Sequence, residues 1–125
     1  MDRSIEIRGR RVLLCAEDGP LLASERDIGE FLGAAWAEEA GLVVIPVARL
    51  SDDFFRLSTR LAGEVAQKFV NYRLQLAIIG DISRWSAESK ALRDFVHEAN
   101  QGQALWFLND MNALEQRLAG AAAKP

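Results

Sequence analysis

Hydrophobic positions along this chain recur with two different periods. Ile5 and Ile7 alternate with Glu6 and Arg8, the two-residue period of a half-buried strand. Val12 to Ala16, Leu42 to Val47, Leu76 to Ile79 and Ala104 to Leu108 are short, nearly continuous apolar runs, as in strands covered on both faces. Between the runs the period lengthens to 3.6 residues. Ile28, Phe31, Leu32, Ala35 and Trp36 share one face of a first helix, and Leu61, Ala62, Val65, Ala66 and Phe69 one face of a second. Leu92, Phe95, Val96 and Ala99 mark a third helix, and Met111, Leu114 and Leu118 a fourth.

Breakers and caps divide these elements. Gly9 and Arg10 form a tight turn that makes the first two strands a hairpin. Ser24 with Asp27 resembles a capping box, and Gly41 supplies the stop for the first helix. Pro46 cannot donate to a ladder, so it belongs to an edge, a bulge or a loop. Arg49 to Thr59 is a polar connection with Phe54 and Phe55 tucked beneath it. The stretch Leu57 to Gly80 then organises the rest: a helix with Ser58 and Thr59 at its start, a turn, and a buried strand. Gly63 inside that helix is expected where the backbone approaches the sheet closely. Gly80-Asp81-Ile82-Ser83 ends the fourth strand, and a helix runs from about Ala87 to Asn100, closed by Gly102. Asn109 and Asp110 open the last helix, and residues 121–125 form a frayed tail.

The resulting order is β-β-α-β-α-β-α-β-α. It implies one α/β domain over residues 1–120, with a mostly parallel five-stranded sheet, an antiparallel edge strand and helices packed over it. Ligands and partners of such sheets meet the carboxyl ends of the strands. Here those ends are Arg49 to Thr59, Gly80 to Arg84, and Asn109 with Asp110.

Composition narrows the function classes. A length of 125 residues suits one core, and a formal net charge of −3 argues against general nucleic-acid binding. Arg8, Arg10 and Arg11 fit a solvated hairpin turn better than a phosphate site. Cys15, the one cysteine, lies in an apolar run and reads as a small core residue. No apolar stretch reaches the length of a membrane span and the first residues lack a signal-peptide pattern, so a soluble cytoplasmic protein is expected. There is no phosphate-binding loop, zinc spacing or nucleophile elbow, and neither a metal nor a cofactor is expected.

Three segments carry a resemblance: LLASER (21–26), LSTRLAGEVAQKFVNYRLQLAIIGD (57–81) and ALRDFVHEA (91–99). Through them the chain resembles a small bacterial family known as domain of unknown function 4180, which implies no activity. The element order is also similar to that of STAS domains, the fold of bacterial anti-sigma-factor antagonists. Those domains carry a D-S-S-G-like motif after the third strand, where a kinase partner phosphorylates a serine. The matching place here is Arg56 to Leu61, with Ser58 and Thr59 as the hydroxyl pair. Leu57 stands in place of the motif's aspartate and Arg60 in place of its glycine.

The leading expectation is therefore a non-enzymatic, STAS-like interaction domain in bacterial regulation, switched by phosphorylation near Ser58 and Thr59. Its protein partner would be a kinase or regulatory protein meeting Ser58, Thr59, Arg60, Asp81, Arg84 and Trp85. The rival expectation is a small-ligand or nucleotide-binding domain, with a minor enzymatic activity included, using Asp52, Asp53, Ser58, Asp81 and Arg84 at the strand ends. A third is a homodimer joined through exposed apolar residues. Each residue also has a structural reading. Ser58 or Thr59 serves as a helix N-cap, and Asp52, Asp53, Asp81 and Asp110 as loop and cap acids rather than ligands of a divalent ion. Glu64 and Lys68 form an exposed helix pair, His97 is a helix-surface residue, and Trp85 caps the core.

Overall fold

The computed structural model describes residues 2–123, and side chains as far as residue 120. Five strands form one sheet in chain order: β1 (Arg3–Ile7), β2 (Arg10–Leu14), β3 (Leu42–Pro46), β4 (Gln75–Ile79) and β5 (Leu105–Leu108). β1 and β2 are antiparallel and the remaining pairs are parallel. The turn sits one residue earlier than the glycine suggests. Ile7 pairs with Arg10, so Arg8 (φ 49°) and Gly9 (φ 80°) form the two-residue turn. Positive φ at both central positions matches the twist of the flanking strands.

Six α-helices occur among the described residues: α1 (Glu25–Ala37), α2 (Asp52–Phe55), α3 (Leu61–Asn71), α4 (Ser83–Ser86), α5 (Lys90–Gln101) and α6 (Met111–Ala123). Residues 124 and 125 of the expected frayed tail lie outside the described residues. Strands in chain order joined by right-handed crossovers place the crossover helices on one face. There, Leu13, Val43, Ile45, Leu76, Ile78 and Phe107 meet Ile28, Phe31, Val65, Phe69 and Leu92. Alternate strand residues point the other way, and Val12, Leu42, Val44, Ala77 and Trp106 meet Leu114 and Leu118 of α6. Both faces are covered, which is why the strands read as unbroken apolar runs.

Several boundaries and faces differ from the sequence expectation. Leu57–Thr59 is a 3-10 turn and α3 begins only at Leu61. The polar connection after β3 holds that turn, α2 and a further 3-10 turn at Val47–Arg49, with Phe54 and Phe55 buried as expected. The helix expected from about Ala87 begins at Lys90 as α5, which Ser89 caps by accepting from Leu92 N at 3.1 Å, and the separate turn α4 precedes it. Trp36 is not in the core but 83% exposed. Gly41 does not stop α1. The helix closes through Ala40 N to Ala35 O (2.9 Å) and Glu39 N to Trp36 O (3.1 Å), with Glu39 at φ 54°. That is a Schellman motif with an acid where glycine is usual. α3 ends the same way, with Arg73 at φ 58° and Leu74 N bonded to Phe69 O at 2.8 Å. Lys68 lies 4.0 Å from Glu25 of α1, across the helix pair, rather than on Glu64.

One arginine fixes the loops over β2 and β3. Arg49 is 3% exposed. Its Nε donates to Pro20 O at 2.7 Å, and its Nη1 to Asp2 Oδ1 at 2.8 Å and Ala16 O at 3.0 Å. The guanidinium also lies 5.1 Å from the Phe31 ring centroid. A Cβ at Gly19 would stand 2.7 Å from its Cζ, so the loop passes only because that residue has no side chain. A buried guanidinium is tolerated because its Nε and Nη1 donors are occupied and a carboxylate offsets the charge. Cys15 beside it is 3% exposed, and burial, with Asp2 nearby, pushes its thiol up to about 12. It remains an unreactive core thiol.

Two expectations follow. Gly63 is exposed, and a Cβ there would meet nothing within 4 Å, so close approach to the sheet is not its reason. Gly63→Ala should raise unfolding free energy by about 1 kcal/mol in a denaturant titration. A loss would mean that the position is constrained after all. Asp2 supplies the second. Partial burial raises its pKa, but the Arg49 hydrogen bond, the Ala16 N–H and the guanidinium charge together hold it below the ordinary 3.8. A carboxyl lowered in the folded state contributes stability above that value, lost as pH falls through the folded value. Asp2→Asn should therefore cost about 2 kcal/mol at neutral pH, and the deficit should shrink below pH 4. A deficit independent of pH would assign the effect to shape alone.

Candidate functional site

The carboxyl ends of β3 and β4 lead into two short segments, 47–60 and 80–89. A carboxylate and a ring stack join them. Asp52 Oδ1 accepts from Trp85 Nε1 at 3.0 Å and from Arg84 Nη2 at 3.2 Å. Trp85 stacks on Phe55, ring centroids 4.0 Å apart and planes 13° from parallel, and the Arg84 guanidinium lies 4.8 Å from the Trp85 ring. Phe54 and Phe55, buried and edge-to-face at 5.2 Å, root the arrangement in the core. The two segments form one continuous surface.

The local sequence accounts for each half. Ser51 starts the single turn of α2, so Asp52 and Asp53 project outward while the two phenylalanines point in. In the other segment Gly80 has φ 137°, and a Cβ there would stand 2.8 Å from Val47 Cγ2. Only glycine lets the chain leave β4 so close to the β3 segment. Asp81 Oδ1 then accepts from Ser83 N at 2.8 Å, turning the chain into α4. That hydrogen bond holds the Asp81 carboxyl below its usual range.

The hydroxyl pair divides sharply. Thr59 Oγ1 lies 2.7 Å from Asp53 O and 2.8 Å from Arg56 O, and accepts from Leu61 N at 3.3 Å. It is built into the turn. Ser58 is exposed, between the exposed Arg56 and Arg60. Neither hydroxyl residue holds the N-cap position of α3, which belongs to Arg60 at φ 66°.

Of the residues singled out from sequence, Asp52, Arg84 and Trp85 are in contact. Asp53 lies 3.8 Å from Arg56, Asp81 caps α4, and Asp110 caps α6 through Ala113 N at 2.8 Å. No group of three or more His, Cys, Asp or Glu suited to a metal ion occurs among the described residues. His97 Nε2 lies 2.9 Å from Gln101 Nε2 on an exposed helix face. The sequence does not reveal the role of Arg49. Its one sequence signal is a lone charge inside the apolar run Val47 to Leu50. Among the described residues no helix is long and apolar enough to cross a membrane.

Trp85→Ala should destabilise the fold by about 2 kcal/mol, since it removes a half-buried ring and its stacked contact. Asp52→Asn, which weakens only an exposed ionic contact, should cost under about 1 kcal/mol. Equal losses in chemical denaturation would show that the ion pair, not the stacking, joins the two segments.

Residues 7–118 match the family model described as Domain of unknown function (DUF4180), and the chain belongs to that family. No curated protein and no solved structure matches it.

Proposed function

Taking membership of the DUF4180 family as the starting point, we propose that this domain is a non-enzymatic, STAS-like protein-interaction module switched by phosphorylation of Ser58. The observation that carries the reading is the joined surface at the carboxyl ends of β3 and β4. Asp52, Arg84 and Trp85 hold it in one shape, and Ser58 stands exposed at its edge. The element order and the hydroxyl pair that follows β3 support the likeness to STAS domains. Arg60 supports it too: it occupies the glycine position of that motif and adopts φ 66°, the conformation that glycine favours.

Geometry favours Ser58 of the two hydroxyls as the switch. Phosphorylating Thr59 would remove the donor that faces Asp53 O and Arg56 O and open the turn. A phosphate on Ser58 leaves those contacts in place. It adds nearly −2 charge close to the start of α3, where Arg56 and Arg60 and the helix dipole favour an anion. The same charge repels an acidic partner surface and alters the pattern that Arg84 and Arg60 present. Asp53, Asp81 and Asp110 are each engaged locally, which favours this reading over a ligand site built from those acids.

The test is a pull-down from the native host, with wild type, Ser58→Ala and Ser58→Asp as baits. A partner held equally by wild type and Ser58→Ala should bind Ser58→Asp at least tenfold more weakly, about 1.4 kcal/mol. Unchanged binding of that partner by Ser58→Asp contradicts the switch.

A further inference from the structure

Arg49 is held firmly but not fully satisfied. Gly19 and the Phe31 ring lie against its guanidinium, and Nε and Nη1 are bonded. Nη2 donates no hydrogen bond among the described residues. Nor is it sealed in: the buried side-chain polar atoms without a partner there are Ser51 Oγ and Gln75 Oε1. Nη2 opens instead on a cavity of about 440 Å³ that Arg49 lines together with Pro20, whose carbonyl takes the adjacent Nε. A guanidinium only 3% exposed, fixed by its neighbours and with one donor directed into a cavity, is a preformed place for an acceptor.

Three carboxylates line the same cavity, and each keeps at least one oxygen open. Asp2 meets Arg49 and the Ala16 N–H through Oδ1 alone. Asp27 accepts from Ala23 N, Ser24 N and the Ser24 hydroxyl through Oδ2 alone. Glu30, nearly one turn further along α1, is exposed and has no partner among the described residues. Three carboxylates against one guanidinium leave an excess of negative charge, which selects a cation. They do not converge on a point: no group of three or more such ligands among the described residues could hold a metal ion. The fitting occupant therefore carries separated cationic groups together with an acceptor for Nη2. Phe31, Ala34 and the 48% exposed Leu21 supply apolar surface for what joins those groups. We propose that this cavity binds a free basic amino acid, lysine or arginine. Its carboxylate accepts from Arg49 Nη2, its α-ammonium meets Asp2 Oδ2, and its side-chain cation lies between Asp27 and Glu30. The volume falls in the range of small-molecule sites. The site shares none of these residues with the Ser58 surface and is independent of any switch there.

Titration of the ¹⁵N-labelled full chain, followed by NMR, tests the proposal. L-lysine or L-arginine should shift the Arg49 Nε–H signal and the amides around Leu21 and Glu30 saturably, with Kd below about 1 mM. Replacing Arg49 endangers the fold, so the ligand is varied instead. Cadaverine lacks the carboxylate, norleucine the side-chain cation and Nα-acetyl-lysine the α-ammonium, and each should bind roughly tenfold or more weakly than lysine. Glu30→Gln, at an exposed position without contacts to lose, should weaken lysine by a similar factor and leave norleucine unchanged. Absence of saturable shifts with both amino acids overturns the proposal. So does cadaverine or norleucine binding as tightly as lysine. Equal binding of Nα-acetyl-lysine would assign the cavity to the carboxyl terminus of another chain and overturn the free amino acid.

Discussion

Strand order is the constraint on which the rest of this structure depends. Five strands laid down in chain order, four of them parallel, require every crossover helix to return over the same face. α1, α3 and α5 therefore share one layer, and the opposite face is left to α6. Every segment leaving a parallel strand emerges at one end of the sheet. Residues from 15 to 24, 47 to 60 and 80 to 89 are neighbours in space for that reason, and the contacts of Arg49 and of Asp52 are built on this proximity.

Those two contacts differ in physical kind. Arg49 is a buried charge whose Nε and Nη1 donors are occupied by Asp2, Ala16 and Pro20, and it ties together the chain around β2. The Asp52, Arg84 and Trp85 contact is half in water. It joins two segments through stacking and an exposed ion pair, and it leaves a shaped, charged surface. Exposed ion pairs contribute little stability, so the value of Asp52 lies in the geometry it imposes. Ser58 stands at the margin of that geometry, on a turn that Thr59 keeps closed.

Much of this was legible in the sequence because burial on both faces writes itself as apolar runs. Leu42 to Val47 and Leu76 to Ile79 read as strands, and the antiparallel first pair follows from Ile5, Ile7 and the Gly9 turn. What failed to show depends on contacts between distant residues. Arg49 and Asp2 are 47 positions apart, and Asp52 and Trp85 are 33 apart. Sequence placed Asp52 and Trp85 at the same end of the sheet without revealing that they touch. The start of α3 was misread because Thr59 bends back to Asp53 O, which no propensity records. Trp36 differs for another reason: a helical period identifies an apolar residue but not whether the core covers it.

We propose that this domain meets a protein partner at the carboxyl-end surface. The most direct test is photo-crosslinking in the native host, with a photoreactive residue at position 58 in one variant and at position 8 in another. Arg8 lies in the hairpin turn at the opposite end of the sheet, so the pair separates the two ends on one folded chain. The account expects a specific protein adduct from position 58 and none from position 8. The same adduct from both, or one from position 8 alone, would contradict it.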